Sequence, residues 1–259
     1  MRIRATLGVV TGALALSAVS VPAAQADEIS GDTTISNISV NGGKAVVVGS
    51  TTYKRITISF TVKDDSGVEN AMALPYYGTD LDHADSAALP NTSDYYSVCT
   101  AVDSTTANCK ATYDFTPGEN AINSVAGTWK LWVLASGKDG DYVQKENARS
   151  FKVQRLSKLT VNASPEPVKK GKTLTVTGKL TRANWDANKY SGYAGQYVKL
   201  QFRKKTDTSY TTVKTIKTNS YGDLKTTVTA SVDGYYRYSY VGNSATPAVS
   251  AAGDFVDVQ

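Results

Sequence analysis

One histidine and two cysteines in 259 residues leave little of the usual machinery of catalysis. With His83 alone, a hydroxyl or thiol nucleophile has a single candidate base. A zinc site needs more nitrogen and sulfur ligands than the chain supplies. No G-x-S-x-G elbow, H-E-x-x-H helix or Walker loop occurs. A carboxylate pair suited to glycoside hydrolysis is left open, and no pair stands out. The chain is therefore expected not to be an enzyme and to need no cofactor, calcium excepted.

Helical periodicity is missing as well, since no long stretch repeats apolar residues every three or four positions. Clusters of basic residues are also lacking. Lys and Arg number 28 against 23 acids, a formal charge of +5, and both signs are mixed along the chain. So mild and mixed a charge argues against a nucleic-acid partner.

The long apolar run is confined to the start. Arg2 and Arg4 precede residues 7–21, and Ala24-Gln25-Ala26 supplies the small-x-small pattern of a secretory cleavage site. The run is short and carries Gly, Ser and Thr, whereas a spanning helix needs about 20 strongly apolar residues. A signal peptide over residues 1–26, cleaved after Ala26, is the expectation, with no membrane anchor and a secreted, extracellular product. Its loss removes two arginines and no acid, taking the formal charge from +5 to +3.

What the chain does have is Thr, Val, Ser and Tyr, residues that favour strands. Its 16 tyrosines against five phenylalanines suit sheets whose rings end in a polar environment. Ile56, Ile58, Phe60 and Val62 alternate with polar residues, the period of a half-buried strand. Residues 33–40, 45–48, 71–77, 128–135 and 148–153 read as further strands, and residues 78–92 read as a long polar loop. Cys99 and Cys109 lie in strand-like runs around a polar turn. In an exported chain the simplest reading of such a pair is a disulfide stapling a hairpin.

An immunoglobulin-like order of these strands brings the turn after residues 55–63 to the same end as the turn at residues 136–141. Asp64, Asp65, Glu69, Asp139 and Asp141 would then gather at the tip farthest from the second half. Five carboxylates can hold calcium, which takes about six to eight oxygen ligands. Ordinary Asx turn chemistry accounts for the same residues. Asp80-Leu-Asp82-His-Ala-Asp85 begins like a calcium loop but departs from the EF-hand pattern at Ala84, Asp85 and Asn91.

Trp129, Leu131 and Val133 form a core face, which turns Trp132 and Leu134 outward as a contact patch for sugar or protein, unless a loop covers Trp132. In the second half, Leu174, Val176 and Leu180, then Val198, Leu200 and Phe202, then Tyr236, Tyr238 and Tyr240 each define an inward face. A long loop at residues 182–196 carries Trp185, Asp186, Tyr190 and Tyr193. Those aromatics either bind carbohydrate or pack against the junction between the halves. At the junction, Phe151 and Val153 alternate, and Leu159 and Val161 follow after Gln154-Arg155-Leu156-Ser157. So short a connection, without Gly or Pro, holds two modules end to end. Lys152, Arg155 and Lys158 would repel a metal ion there, and Leu156 with the Trp185–Tyr193 loop covering it is the expected source of stiffness.

Several segments carry a family likeness. They are residues 164–178 (SPEPVKKGKTLTVTG), 195–203 (GQYVKLQFR) and 245–254 (ATPAVSAAGD), with 40–44, 127–130 and 138–142 in the first half. On these the chain resembles the secreted two-domain immunoglobulin-like proteins common in actinobacteria, whose function is largely uncharacterised and which are sometimes labelled calcium-binding. The strand pattern and the resemblance together predict an all-β chain of two tandem immunoglobulin-like Greek-key sandwiches, 27–154 and 155–259, joined by a short linker. Function then reads as extracellular binding or structure, with a partner that is an extracellular protein or a cell-wall glycan. The alternatives are calcium binding and a lectin-like glycan-binding module.

Overall fold

The computed structural model describes residues 27–259, so the expected signal peptide lies outside the described residues. The first ten strands are β1 (Glu28–Ser30), β2 (Thr34–Val40), β3 (Val46–Val48), β4 (Lys54–Lys63), β5 (Val68–Gly78), β6 (Ala84–Ala87), β7 (Val98–Ala101), β8 (Thr106–Phe115), β9 (Gly127–Gly137) and β10 (Tyr142–Arg155). One sheet has the order β2-β4-β8-β7. The other has β1-β10-β9-β5-β6, with β3 pairing β10 in parallel. This is the ABED and GFC arrangement of an immunoglobulin-like sandwich. Strand β6 was not legible as a strand. Its sequence, Ala-Asp-Ser-Ala, has no apolar alternation, and only its pairing with Tyr76–Gly78 makes it one.

The alternating faces meet in one core. Ile56, Ile58, Phe60 and Val62 from β4 face Trp129, Leu131 and Val133 from β9, all nearly fully buried. Phe115 meets the Trp129 ring edge-on at 5.1 Å. Tyr113 is buried too, and its hydroxyl donates to the Ala73 carbonyl at 2.7 Å across the sheets, which spares the core an unpaired polar group. Cys99 and Cys109 are directly opposed in the β7–β8 ladder and disulfide-bonded.

The second ten strands are β11 (Ser157–Leu159), β12 (Asn162–Ser164), β13 (Thr173–Asn184), β14 (Lys189–Gly192), β15 (Tyr197–Lys204), β16 (Thr211–Lys217), β17 (Asp223–Thr229), β18 (Gly234–Tyr240), β19 (Val249–Ser250) and β20 (Asp254–Val256). Strands β11, β12, β14 and β17 pair with β13. Facing them is the sheet β16-β15-β18, extended by β19 and β20 on β18. Tyr236, Tyr238 and Tyr240 point inward as their spacing requires, and the Tyr238 hydroxyl donates to the Val176 carbonyl at 2.9 Å.

The segment read as a loop at residues 182–196 is largely a hairpin. Strand β13 runs on to Asn184, turns through residues 185–188 and returns as β14, with Asn184 opposite Lys189 and Thr181 opposite Gly192. The polar, aromatic composition hid the pairing. This arm leaves the body of the second sandwich and lies against the first.

Candidate functional site

At the tip of the first sandwich, β4 ends and the chain turns through Asp64-Asp65-Ser66-Gly67. Asp64 is only 1% exposed. Its Oδ1 accepts from the Ser66 amide at 3.0 Å and from the Ser66 hydroxyl, and its Oδ2 accepts from the Thr33 hydroxyl. Burial pushes the Asp64 carboxyl up, but these hydrogen bonds outweigh it and hold the group below its ordinary value. Gly137, at the end of β9, makes room for it, because a Cβ there would lie 2.1 Å from Asp64 Oδ2.

Asp141 accepts from the Asp32 amide at 2.9 Å, and its own amide donates to Asp139 Oδ1 at 3.1 Å. Carboxylate atoms of Asp32, Asp64 and Asp141 lie within 4.8 Å of one another, and those of Asp64, Asp65 and Asp139 do likewise. The negative charge of Asp32, then burial, then Asp139, Asp64 and Asp141 raise the Asp65 carboxyl above its usual value. Among the described residues none of the five takes part in a salt bridge. The expected set is thus altered in one member. Glu69 is exposed at a register shift in β5 and joins neither group, while Asp32, ahead of β2, joins through the fold alone.

The second acidic segment forms its own turn. Asp80 Oδ1 accepts from the His83 amide at 2.8 Å and lies 2.7 Å from His83 Nδ1. That hydrogen bond, and then the charge of Asp80, raise the His83 pKa.

The aromatic residues expected to touch a ligand lie elsewhere than on an open surface. Trp132 is 9% exposed. It stands opposite the bulge that interrupts the β9–β10 ladder between Lys145 and Arg149. Within that bulge Glu146 is buried, its Oε1 accepting from the Tyr76 hydroxyl and the Leu81 amide. The bulge and the loop after β5 therefore close over this part of the sheet.

Trp185, at the head of the arm's turn, is fully buried, and it belongs to the core of the first sandwich rather than the second. Its indole Nε1 donates to the Val48 carbonyl at 3.3 Å. Asn123 ties the turn down. Its amide and its Nδ2 donate to the Asp186 carboxylate at 2.9 and 2.7 Å, its Nδ2 also reaches Asn184 Oδ1, and its Oδ1 accepts the Trp185 amide at 3.0 Å. Burying an indole removes on the order of 200 Å² from water, about 5 kcal/mol before entropy. Tyr190 packs against the same core and lies under the Lys158 ammonium at 3.7 Å. Tyr193 is buried in the second core with Arg182 stacked on it at 3.9 Å. Trp132, Trp185, Tyr190 and Tyr193 are hence packing residues, a correction to their expected role as ligand contacts. Packing was the alternative the sequence also offered.

Only Leu156 separates β10 from β11. Its amide donates to the Val48 carbonyl at 2.9 Å and its carbonyl accepts from Ala183 at 2.8 Å. Leu156 itself is 36% exposed, so of the two expected contributors it is the Trp185 loop, with the backbone bonds, that packs across the junction, and the leucine adds little. Arg155 is buried beside it, donating from Nε to the Ala183 carbonyl at 2.6 Å. Burial, and then the charge of Arg182, pull its pKa down to about 10.

Fold and junction together define a pair of tandem immunoglobulin-like sandwiches, with an arm of the second packed into the core of the first. Within the first, residues 43–135 match the model of a family of unknown function, DUF5707. No curated protein matches the chain. Solved structures similar to it include the D00–D0 domain of intimin, with 15% identity, 85% of this chain and 98% of that chain covered, and a TM-score of 0.28. The titin domains Z1Z2 in complex with telethonin show 9% identity over 91% and 97%, with a TM-score of 0.24. The mouse nectin-like molecule 4 ectodomain shows 14% identity over 86% and 65%, with a TM-score of 0.26.

Proposed function

We propose that the chain is a secreted, non-catalytic binding and structural protein that presents two immunoglobulin-like modules in one fixed relation. The burial of Trp185 from the second module inside the core of the first carries this reading. A flexible tether needs no such anchor, whereas a presenting scaffold does. The chemistry of the described residues agrees. Both cysteines are joined, and His83 has the Asp80 carboxylate, not a nucleophile's hydroxyl, as its side-chain partner. The secretory pattern read in residues 1–26 and the resemblance to secreted actinobacterial proteins support the same reading. Small-angle scattering should give a single extended shape for the mature chain and a broadened ensemble for Trp185→Ala. A wild-type ensemble as broad as the variant's would overturn the reading, as would hydrolysis of peptide or glycan substrates abolished by one point substitution.

Calcium binding at the tip is the second reading, favoured by the two carboxylate triads that share Asp64. Calcium bound only by the folded state raises the melting temperature. Asp139→Ala and Asp141→Ala should each reduce that rise. An unchanged melting curve in millimolar calcium would remove the idea.

A further inference from the structure

The outward face of the β16-β15-β18-β20 sheet carries an unusual set of side chains. Inward positions hold Val198, Leu200, Tyr236 and Tyr238, so the alternate positions of the same strands face away from the core. Across the ladder Arg203 stands opposite Tyr235, Tyr235 opposite Phe255, and Gln201 opposite Arg237. The Arg237 guanidinium lies 3.8 Å from the centroid of Tyr210, and Arg203 lies 3.9 Å from Tyr235 and 5.3 Å from Tyr210. Tyr235 then meets Phe255 at 5.1 Å, and the Lys205 ammonium lies 5.3 Å from Phe255. Further along, Lys217 pairs with the exposed Tyr197 at 5.6 Å. Cations and rings thus alternate at one end of the face, and a second pair stands at the other.

No acid occupies an outward position on these strands. Among the described residues neither arginine forms an ion pair. Arg237 spends Nε on Gln201 Oε1 at 2.9 Å, and Arg203 spends Nη1 on the backbone carbonyl of Asp207 at 3.0 Å. A guanidinium has five N–H donors in a rigid plane, so most remain for a ligand. Stacking on the tyrosines holds those planes in place before anything binds, lowering the ordering cost of association.

We propose that this face docks a carboxylated polysaccharide, one bearing uronate sugars. Planar forks at a fixed spacing match carboxylates bidentately. The tyrosine rims and hydroxyls offer contact to the apolar and hydroxyl edges of sugar rings. A nucleic-acid strand would need open ring faces on which bases stack, and here guanidinium groups lie over Tyr210 and Tyr235. The inference rests on the extracellular binding reading for its compartment, not on the locked junction, so scattering and binding can fail separately.

The test is affinity electrophoresis of the mature chain through gels containing polygalacturonate, neutral dextran or oligothymidylate. Polygalacturonate should retard the protein, less so as salt rises, and dextran should not. Replacing both arginines (Arg203→Gln with Arg237→Gln) should weaken retardation at least about tenfold. The pair Arg203→Lys with Arg237→Lys, which keeps the charge and loses the fork, should bind at an intermediate level. Melting curves identify variants that fail to fold. For these, Lys199→Gln with Lys217→Gln on the same face is the second probe, and it should also weaken binding. No retardation by polygalacturonate overturns the proposal. So does equal retardation of folded wild type and variants, or tighter binding to oligothymidylate.

Discussion

The two sandwiches share an immunoglobulin-like plan, although the second has no counterpart of β7 beyond β17, and they are filled differently. The first has a core of aliphatic residues around Trp129, Phe115 and Phe151, with a disulfide fastening its β7–β8 edge. The second has no disulfide, and its fully buried aromatic is Tyr238, flanked by Tyr193, Tyr236 and Tyr240. Its one tryptophan has left home. Trp185 sits in the neighbour's core, carried there by a strand that continues past the body of its own sheet. The second sandwich thus depends on the first for a full-sized aromatic contact, whereas the first gains rather than lends. This asymmetry teaches that the junction is an extension of one hydrophobic core across two modules that Leu156 alone connects along the chain.

The largest break in that asymmetry should come from Trp185→Ala. Truncating a buried indole costs about 3–5 kcal/mol, and here the loss should uncouple the modules. Calorimetry is expected to show one transition in the wild type and two in the variant. A single unshifted transition would mean that the backbone bonds around Leu156 suffice alone.

Next is the disulfide, which acts on the first sandwich only. Cys99 and Cys109 are 10 residues apart, and removing a crosslink over so short a loop should cost about 2–3 kcal/mol. In the Trp185→Ala background, where the modules melt apart, replacing both by serine should lower only the first module's denaturation midpoint. If the second module falls by the same amount, the two unfold as one unit.

Asp64→Ala should cost about 1–3 kcal/mol, since it strands the Thr33 and Ser66 donors at a buried turn. The same carboxylate gives a pH signature. Its folded value is lowered from 3.8, so its contribution is present in full above that unfolded value. It is lost as pH falls through the lower folded one. Acid titration of the melting temperature should therefore fall less steeply in Asp64→Asn than in the wild type.

The smallest effect belongs to the exposed side of the junction. Asn123→Ala removes the hydrogen bonds to Asn184, Asp186 and the Trp185 amide. Water can replace much of what is lost at this partly exposed site, so about 1 kcal/mol is expected. Thermal denaturation of the variant, compared with Trp185→Ala, separates the polar clasp from the apolar anchor.

Where the sequence was legible, the reason is local. Ile56, Ile58, Phe60 and Val62 alternate because a strand turns successive side chains to opposite faces, and the same rule exposed the tyrosines of β18. The cysteine pair was readable because a chain with two cysteines allows a single pairing. Strand β6 and the β13–β14 arm were not readable, because each is a strand by virtue of its pairing and not of its pattern. Glu69 and Asp32 exchanged places at the tip for a similar reason. A register shift in β5 bars one, and the approach of the β1–β2 turn to Asp141 recruits the other.

The arginine–tyrosine face had a faint signal, in Gln201 and Arg203 alternating with Phe202, and Tyr235 and Arg237 alternating with Tyr236. What the signal lacked was a partner. Only the antiparallel register of β15 and β18 sets Arg203 beside Tyr235.

By itself, then, the sequence determined the strands with an alternating pattern, their inward faces, the staple and the shortness of the link, all of which follow from spacing along the chain. The tertiary structure alone decided where the arm goes. Asn123 and Trp185 are separated by 62 residues, and the indole and Val48 by 137. No periodicity reaches across such distances. The fate of Trp185 was settled by the free energy of burying one ring in a cavity that only the folded first sandwich provides.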